Sequence, residues 1–180
     1  MIRVAKFDTV SEERFRADTK EVFKGSVAFL DDAIGANQVI YDAYDSLKLP
    51  VRATGGSAGY DFFTPFAVTL ASEESISIPT GIRVKIDPGW ALFLFPKSGL
   101  GFKYRLQLDN TVGLIDSDYY GAKNEGHIII KISNLSLEKK ALELKRGAAF
   151  AQGVFLPFGI TADDNADGVR LGGFGSTARG

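Results

Sequence analysis

Ile82-Arg83-Val84-Lys85-Ile86-Asp87-Pro88-Gly89-Trp90-Ala91-Leu92-Phe93-Leu94-Phe95 is the stretch that decides the fold. Its first five residues alternate apolar and charged with period two, as a strand does when one face is buried and the other is wet. After the Asp-Pro-Gly interruption, Trp90 to Phe95 is continuously apolar and reads as a strand covered on both faces. The same grammar runs outward from Pro50. Ile76-Ser77-Ile78, Ile128-Ile129-Ile130-Lys131-Ile132, Ala141-Leu142-Glu143-Leu144 and residues 149–158 are short apolar runs separated by Gly, Pro, Asn and Asp. Many short strands at close spacing predict an all-β, jelly-roll β-sandwich.

The two ends read differently. Residues 2–7 alternate and predict an opening strand. Thr9 with Glu12 forms a candidate capping box, and Phe15, Val22 and Phe23 give a loose helical stripe, so a short helix is expected near 11–24. Residues 25–48 are broken by Gly25 and Gly35, with some apolar surface at Val39, Ile40, Tyr44 and Leu47. Residues 161–180 hold little to bury, yet Gly172-Gly173-Phe174-Gly175-Ser176-Thr177 sets one aromatic among glycines, followed by two hydroxyls. The expected organisation is a short α/β extension at 1–48 packed on the core, a jelly roll at 49–160 and a flexible C-terminal arm at 161–180.

Composition narrows the chemistry. The 180 residues are 45% hydrophobic and 24% charged, an ordinary globular balance, and the net charge of −1 implies no basic surface for nucleic acid. With no cysteine there are no disulfides, thiolate metal sites or cysteine nucleophile, and a single histidine excludes a histidine-rich metal cluster. The charged start (Met1-Ile2-Arg3-Val4-Ala5-Lys6) is not that of a signal peptide, and no apolar run is long enough to span a bilayer. A cytoplasmic protein without membrane contact is expected.

Five segments, in order, resemble the trimeric dUTPase family: Ala58-Gly59-Tyr60-Asp61-Phe62; Pro96-Lys97-Ser98-Gly99-Leu100-Gly101; Asn110 through Gly121, with Asn-Thr-Val-Gly-Leu-Ile-Asp-Ser-Asp-Tyr at its heart; Ala151-Gln152; and Gly172 through Thr177. The resemblance implies a jelly roll, hydrolysis of dUTP to dUMP and pyrophosphate with Mg²⁺, and a homotrimer whose sites are each shared by three chains. It makes Asp116 the base that activates water, where the residues alone favour a turn aspartate. It sets Tyr119 against the deoxyribose, leaving no room for a 2′-hydroxyl, with Tyr120 as the core residue. Asn110 reads uracil through its donor and acceptor, and Gly113 and Ile115 belong to the same hairpin. Lys97, Ser98 and Gly99 bind phosphate, Gln152 bonds phosphate or holds the hairpin, and Asp61 orients waters around Mg²⁺. In the arm, Phe174 stacks on uracil, Gly175 allows closure, and Arg170, Ser176 and Thr177 meet the terminal phosphate.

The chain also departs from the family pattern. Lys97 and Ala149 stand where arginines are usual, so Arg146 is a candidate substitute, as Arg179 is for Arg170. Gly121 to His127 is longer than the compact version and reads as an extended hairpin, with His127 opening the next strand. Two rivals share the fold. A dCTP deaminase needs a proton-shuttling glutamate where Lys131 precedes Ile132-Ser133-Asn134, and a nucleotide-gated binding protein would not need Asp116.

Overall fold

The computed structural model describes residues 2–24 and 33–168. The chain opens with strand β1 (Ala5–Thr9), then helices α1 (Glu12–Val22) and α2 (Ala33–Asp45). Strands β2 (Val51–Arg52), β3 (Tyr60–Phe63), β4 (Val68–Leu70), β5 (Ser75–Pro79), β6 (Ile82–Ile86) and β7 (Trp90–Pro96) follow, then helix α3 (Ser98–Tyr104). Beyond it lie β8 (Gln107–Leu108), β9 (Gly113–Ile115), a 3-10 helix at Ser117–Gly121, and β10 (Ile129–Ser133), β11 (Leu142–Leu144) and β12 (Ala149–Pro157). Every strand pairing is antiparallel. One sheet runs β2-β3-β12-β7-β9 and another β5-β10-β8, flanked by the pairs β1-β6 and β11-β4. This is the expected all-β jelly roll.

Period-two patterning builds the core. Ile82, Val84 and Ile86 point inward from β6 while Lys85 is exposed, and Leu142 and Leu144 do the same around Glu143. The central strand β7 corrects one expectation. Leu92 and Leu94 are buried, but Trp90, Phe93 and Phe95 are only half-buried, so the described residues fully cover just one face of it. In β12, Gly153 is required by packing, because a Cβ there would lie 2.7 Å from Leu92 Cδ1 and 3.0 Å from the Phe62 ring.

The N-terminal elements carry a smaller core of their own. Val10, Phe15, Phe23, Ile40, Ala43 and Phe66 pack together, with the Phe15 and Phe66 rings stacked at 6.0 Å. Ser11, not Thr9, caps α1: its Oγ accepts from Arg14 N at 3.1 Å. Thr9 is committed to β1, paired with Ile82, and so cannot serve the helix. Glu12 and Glu13 in the first turn and Lys20 in the last complement the helix dipole.

The segment 110–127 is the largest local departure. It does not form a hairpin: β8 pairs with β10, whereas β9 pairs with β7. The reversal between them is a tight turn in which Thr111, at φ 65°, takes the left-handed position and its N–H donates to Leu108 O. Beyond β9 the expected extended hairpin is instead the 3-10 helix and a run of turns. Ala122 N bonds Tyr119 O, Glu125 N bonds Ala122 O, and His127 N bonds Asn124 O. Positive φ at Glu125 (59°) and Gly126 (71°) keeps this stretch coiled. His127 lies just before β10 and is fully buried.

Candidate active site

The sequence-predicted residues fall into two groups within one chain. Asn110 and Gly113 line a cavity of ≈450 Å³ together with Leu94, Leu108, Asp109 and Lys131. That volume suits a small ligand, and its walls are largely apolar with a few polar groups at the rim. Glycine is needed at 113 because β9 passes close over β7; a Cβ would stand 3.0 Å from Leu94 Cβ. Asn110 is exposed on the turn, and Ile115 is buried beneath the same strand.

Two rim residues were not anticipated as site residues. Lys131 Nζ lies 2.7 Å from Asp109 Oδ2, and Ser133 Oγ also donates to Asp109. Burial pushes the Asp109 carboxyl up, but the hydrogen bonds from Lys131 and Ser133 and the lysine charge outweigh it and hold the group below the usual carboxylate range. The signal was present in sequence: Lys131 interrupts an apolar strand, and Asp109 adjoins Asn110.

The second group lies where β3, β12 and the end of β7 meet. Lys97 Nζ donates to both oxygens of Asp61, at 2.5 and 2.7 Å. Register sets this up: Gln152 of β12 faces Asp61 on one side and Phe95 on the other, and its Nε2 donates to Pro96 O at 3.4 Å. Lys97 N–H donates to Phe150 O and pins the loop to the sheet. Ser98 and Gly99 follow, exposed in the first turn of α3, with open space around Gly99. Lys97 and Asp61 thus neutralise each other, which the sequence reading, with one on phosphate and the other near a cation, did not foresee.

Asp116 stands between the groups in sequence, at the end of β9 and the start of the 3-10 helix, half-buried and in extended conformation. Of the two tyrosines after it, Tyr120 is not the core residue expected of it. Tyr119 is the core residue, 3% exposed, with its hydroxyl donating to His127 O at 2.9 Å and accepting from Asn124 Nδ2 at 2.8 Å. Tyr120 is half-buried, with the Arg83 guanidinium 3.6 Å from its ring centroid. A 3-10 helix turns about 120° per residue, so neighbours cannot share a face, and only Tyr119 finds buried partners for its hydroxyl.

Arg146 does not compensate for Ala149. It bonds Ser46 Oγ and Asp42 O at the end of α2, away from the phosphate group of residues. Arg170, Phe174, Gly175, Ser176, Thr177 and Arg179 lie outside the described residues. Among the described residues, the lining of the cavity includes none of Asp61, Lys97, Asp116 or Gln152. Among the described residues there is no cluster of three or more His, Asp or Glu able to hold a metal by themselves. Nor is any helix among them long and apolar enough to cross a membrane.

The jelly roll carries a small polar-rimmed cavity and a lysine–carboxylate–glutamine cluster, both built on the sheet that contains β7. Residues 45–177 match the family model described as dUTPase, and the chain belongs to the dUTPase family. It is 39% identical over 134 residues to the deoxyuridine 5'-triphosphate nucleotidohydrolase of Lactococcus lactis, covering 73% of this chain and 88% of that one. It is 41% identical over 150 residues to the enzyme of the same name from Chromobacterium violaceum, covering 78% and 95%. Among solved structures, the dUTPase of Streptococcus mutans superposes with a TM-score of 0.57 at 36% identity, over 63% of this chain and 88% of that one. A phage phi11 dUTPase of S. aureus, described with a structural Mg(II) ion, shares the fold at TM-score 0.54 and 22% identity, over 68% and 91%.

Proposed function

We infer that this protein hydrolyses dUTP to dUMP and pyrophosphate, as a dUTP diphosphatase. The observation that carries the reading is the cavity bearing Asn110 and Gly113, formed at the strand that delivers Asp116, inside a chain that belongs to the dUTPase family. The Asn110 amide offers one donor and one acceptor to the uracil edge. Cytosine presents the opposite pattern and would leave groups unpaired at about 1–3 kcal/mol each.

Chemistry follows from position. Asp116 accepts a proton from water as the water oxygen bonds to the α-phosphorus; the bond from that phosphorus to its bridging oxygen breaks, and pyrophosphate leaves. Lys97, Ser98, Gly99 and Gln152 hold the phosphates, and Tyr119 lies against the deoxyribose and rejects a ribose 2′-hydroxyl by shape. The donor set fits a magnesium ion held mainly by triphosphate and water: one partly buried carboxylate, Asp61, with 16% side-chain exposure, sits beside the phosphate-binding residues. When bound, that ion would neutralise phosphate charge, with Asp61 acting through water.

The sharing of sites among three chains accounts for the two separated groups. Exposed Phe102 (92%) and the half-covered face of β7 are surfaces that a homotrimer would use. Residues 1–48 act as an extension on the core and 161–180 as a closing arm, with Phe174 on the base, Gly175 at the bend, and Arg170, Ser176 and Thr177 on the terminal phosphate.

Incubation with Mg²⁺ and dUTP, dCTP, dTTP or UTP tests the reading. Pyrophosphate from dUTP alone is expected; ammonia from dCTP, or binding without turnover, refutes it. In Asp116→Asn, dUTP binding should persist while turnover falls by orders of magnitude. A mass in solution of one chain at full activity would defeat the trimer.

A further inference from the structure

Two features of this chain exceed the compact family pattern in sequence: the N-terminal extension and the segment Gly121–His127. In the structure they meet. His127 is fully buried, and the two nitrogens of its ring have opposite duties. Gly81 N–H donates to Nε2 at 2.9 Å, which makes Nδ1 the protonated nitrogen, and Nδ1 lies 2.7 Å from Asp18 Oδ2 on α1. Arg14, one turn earlier, pairs with Asp18 at 3.2 Å and donates to Lys123 O. The His127 carbonyl in turn accepts the Tyr119 hydroxyl at 2.9 Å.

A second path runs in parallel. Ser11, the cap of α1, donates both its N–H and its hydroxyl to Glu125, at 2.8 and 2.6 Å. Glu125 lies 3.9 Å from Arg83 Nη1, and Arg83 Nη2 donates to Tyr120 O at 2.7 Å. The two paths leave α1 about two turns apart and end on consecutive residues of the 3-10 helix that begins immediately after Asp116. Gly126 closes the arrangement: it passes so near that a Cβ would come within 2.7 Å of Tyr119 O.

We propose that α1 is part of the catalytic apparatus, with Asp18, His127 and Glu125 as positioning residues that fix the segment Asp116–Gly121 and thereby the aim of Asp116. The inference rests on the reading of Asp116 as the base in dUTP hydrolysis. A carboxylate that must meet an in-line water has little tolerance for displacement, and it sits on a loop segment with only three residues of strand before it. Here the loop is longer, and the added helix supplies the rigidity that length removes.

The test compares Asp18→Ala, Asp18→Asn, Glu125→Ala and the exposed control Lys20→Ala, all in the full chain with Mg²⁺ and dUTP. Asp18→Ala and Glu125→Ala are expected to lower kcat by about 10- to 100-fold while KM stays within about twofold, because aim and not affinity is lost. Asp18→Asn keeps an acceptor for His127 Nδ1 and should recover most of kcat, and Lys20→Ala should match the parent. Circular dichroism and solution mass normalise the rates to folded, assembled protein. If Asp18→Ala does not fold, Glu125→Ala, at a more exposed tie, decides the matter. Parent turnover with kcat unchanged in the folded variants overturns the inference alone. A parent that does not turn over dUTP overturns the reading beneath it, and the inference with it.

Discussion

Gly126→Ala separates two costs that glycine usually hides together. Gly126 adopts φ +71°, and a Cβ there would lie 2.7 Å from Tyr119 O and 2.8 Å from Tyr120 Cα. Both neighbours are backbone, so no side-chain rotation relieves the overlap. Gly89 adopts φ +82° with nothing within 4 Å of its would-be Cβ, and serves as the control. The left-handed conformation costs an alanine about 1–2 kcal/mol at either position. The overlap adds about 1–3 kcal/mol at Gly126 only, by analogy with overpacked cores. Gly89→Ala should therefore lose about 1–2 kcal/mol, and Gly126→Ala about 2–5 kcal/mol in all. Urea unfolding at one fixed protein concentration, followed by circular dichroism, measures both, since assembly makes apparent stability concentration-dependent. The atoms that must yield belong to Tyr119 and Tyr120, so dUTP turnover should fall in Gly126→Ala and hold in Gly89→Ala. Equal destabilisation by the two substitutions would refute the argument from close approach.

Other expectations follow from the same contacts. Lys97→Ala should reduce kcat/KM for dUTP by about 10- to 100-fold, and Lys97→Arg should restore much of it; an unchanged Lys97→Ala would remove the lysine from phosphate binding. Asp61→Asn should raise the Mg²⁺ concentration needed for half-maximal turnover by about tenfold or more, whereas an unaltered Mg²⁺ dependence would sink the metal assignment. Acid should loosen α1. Burial raises Asp18 and Glu125, but His127 and Arg14 around the first, and Ser11, Arg83 and Arg14 around the second, outweigh it and leave both below their ordinary values of 3.8 and 4.5. Groups lowered in the folded state stabilise it fully above those values and lose that contribution as pH falls through them, so thermal stability should decline below about pH 4.5. Glu125→Gln should flatten that decline, and an identical pH profile would count against the tie.

The strands were legible because alternation is a local signal: Ile82, Val84 and Ile86 need no distant partner to announce an inward face. What covers those faces was not. Trp90 to Phe95 reads as doubly buried, yet among the described residues one of its faces is only half-covered. Thr9 reads as the cap of α1, but its pairing in β1 with Ile82 leaves that duty to Ser11. That Tyr119 and not Tyr120 is the buried one turns on one fact, that the chain after Asp116 coils instead of extending, and no period in five residues could reveal it. Asn110 and Gly113 were found by motif and do share a cavity, while Asp109 and Lys131 escaped because their pairing joins a turn to a strand 22 residues away.

The pairing of Lys97 with Asp61 gives a physical sense to the departure from arginine. The pair is partly wet, with 33% and 16% side-chain exposure, so water screens it and its rupture costs little. A planar guanidinium would grip the carboxylate through a rigid fork; an ammonium on a flexible stem holds it as a point charge and is released by rotation of a few bonds. On the proposed reading, the arriving substrate brings phosphate charge for the lysine and a hydrated cation for the aspartate, so each partner exchanges one opposite charge for another and neither is left unpaired. The resting pair keeps Asp61 and Lys97 in register across β3 and β7, with Gln152 between them, until those partners come. A lysine here trades some grip on phosphate for an easier exchange, and the cluster can be neutral at rest and still receive a multiply charged nucleotide.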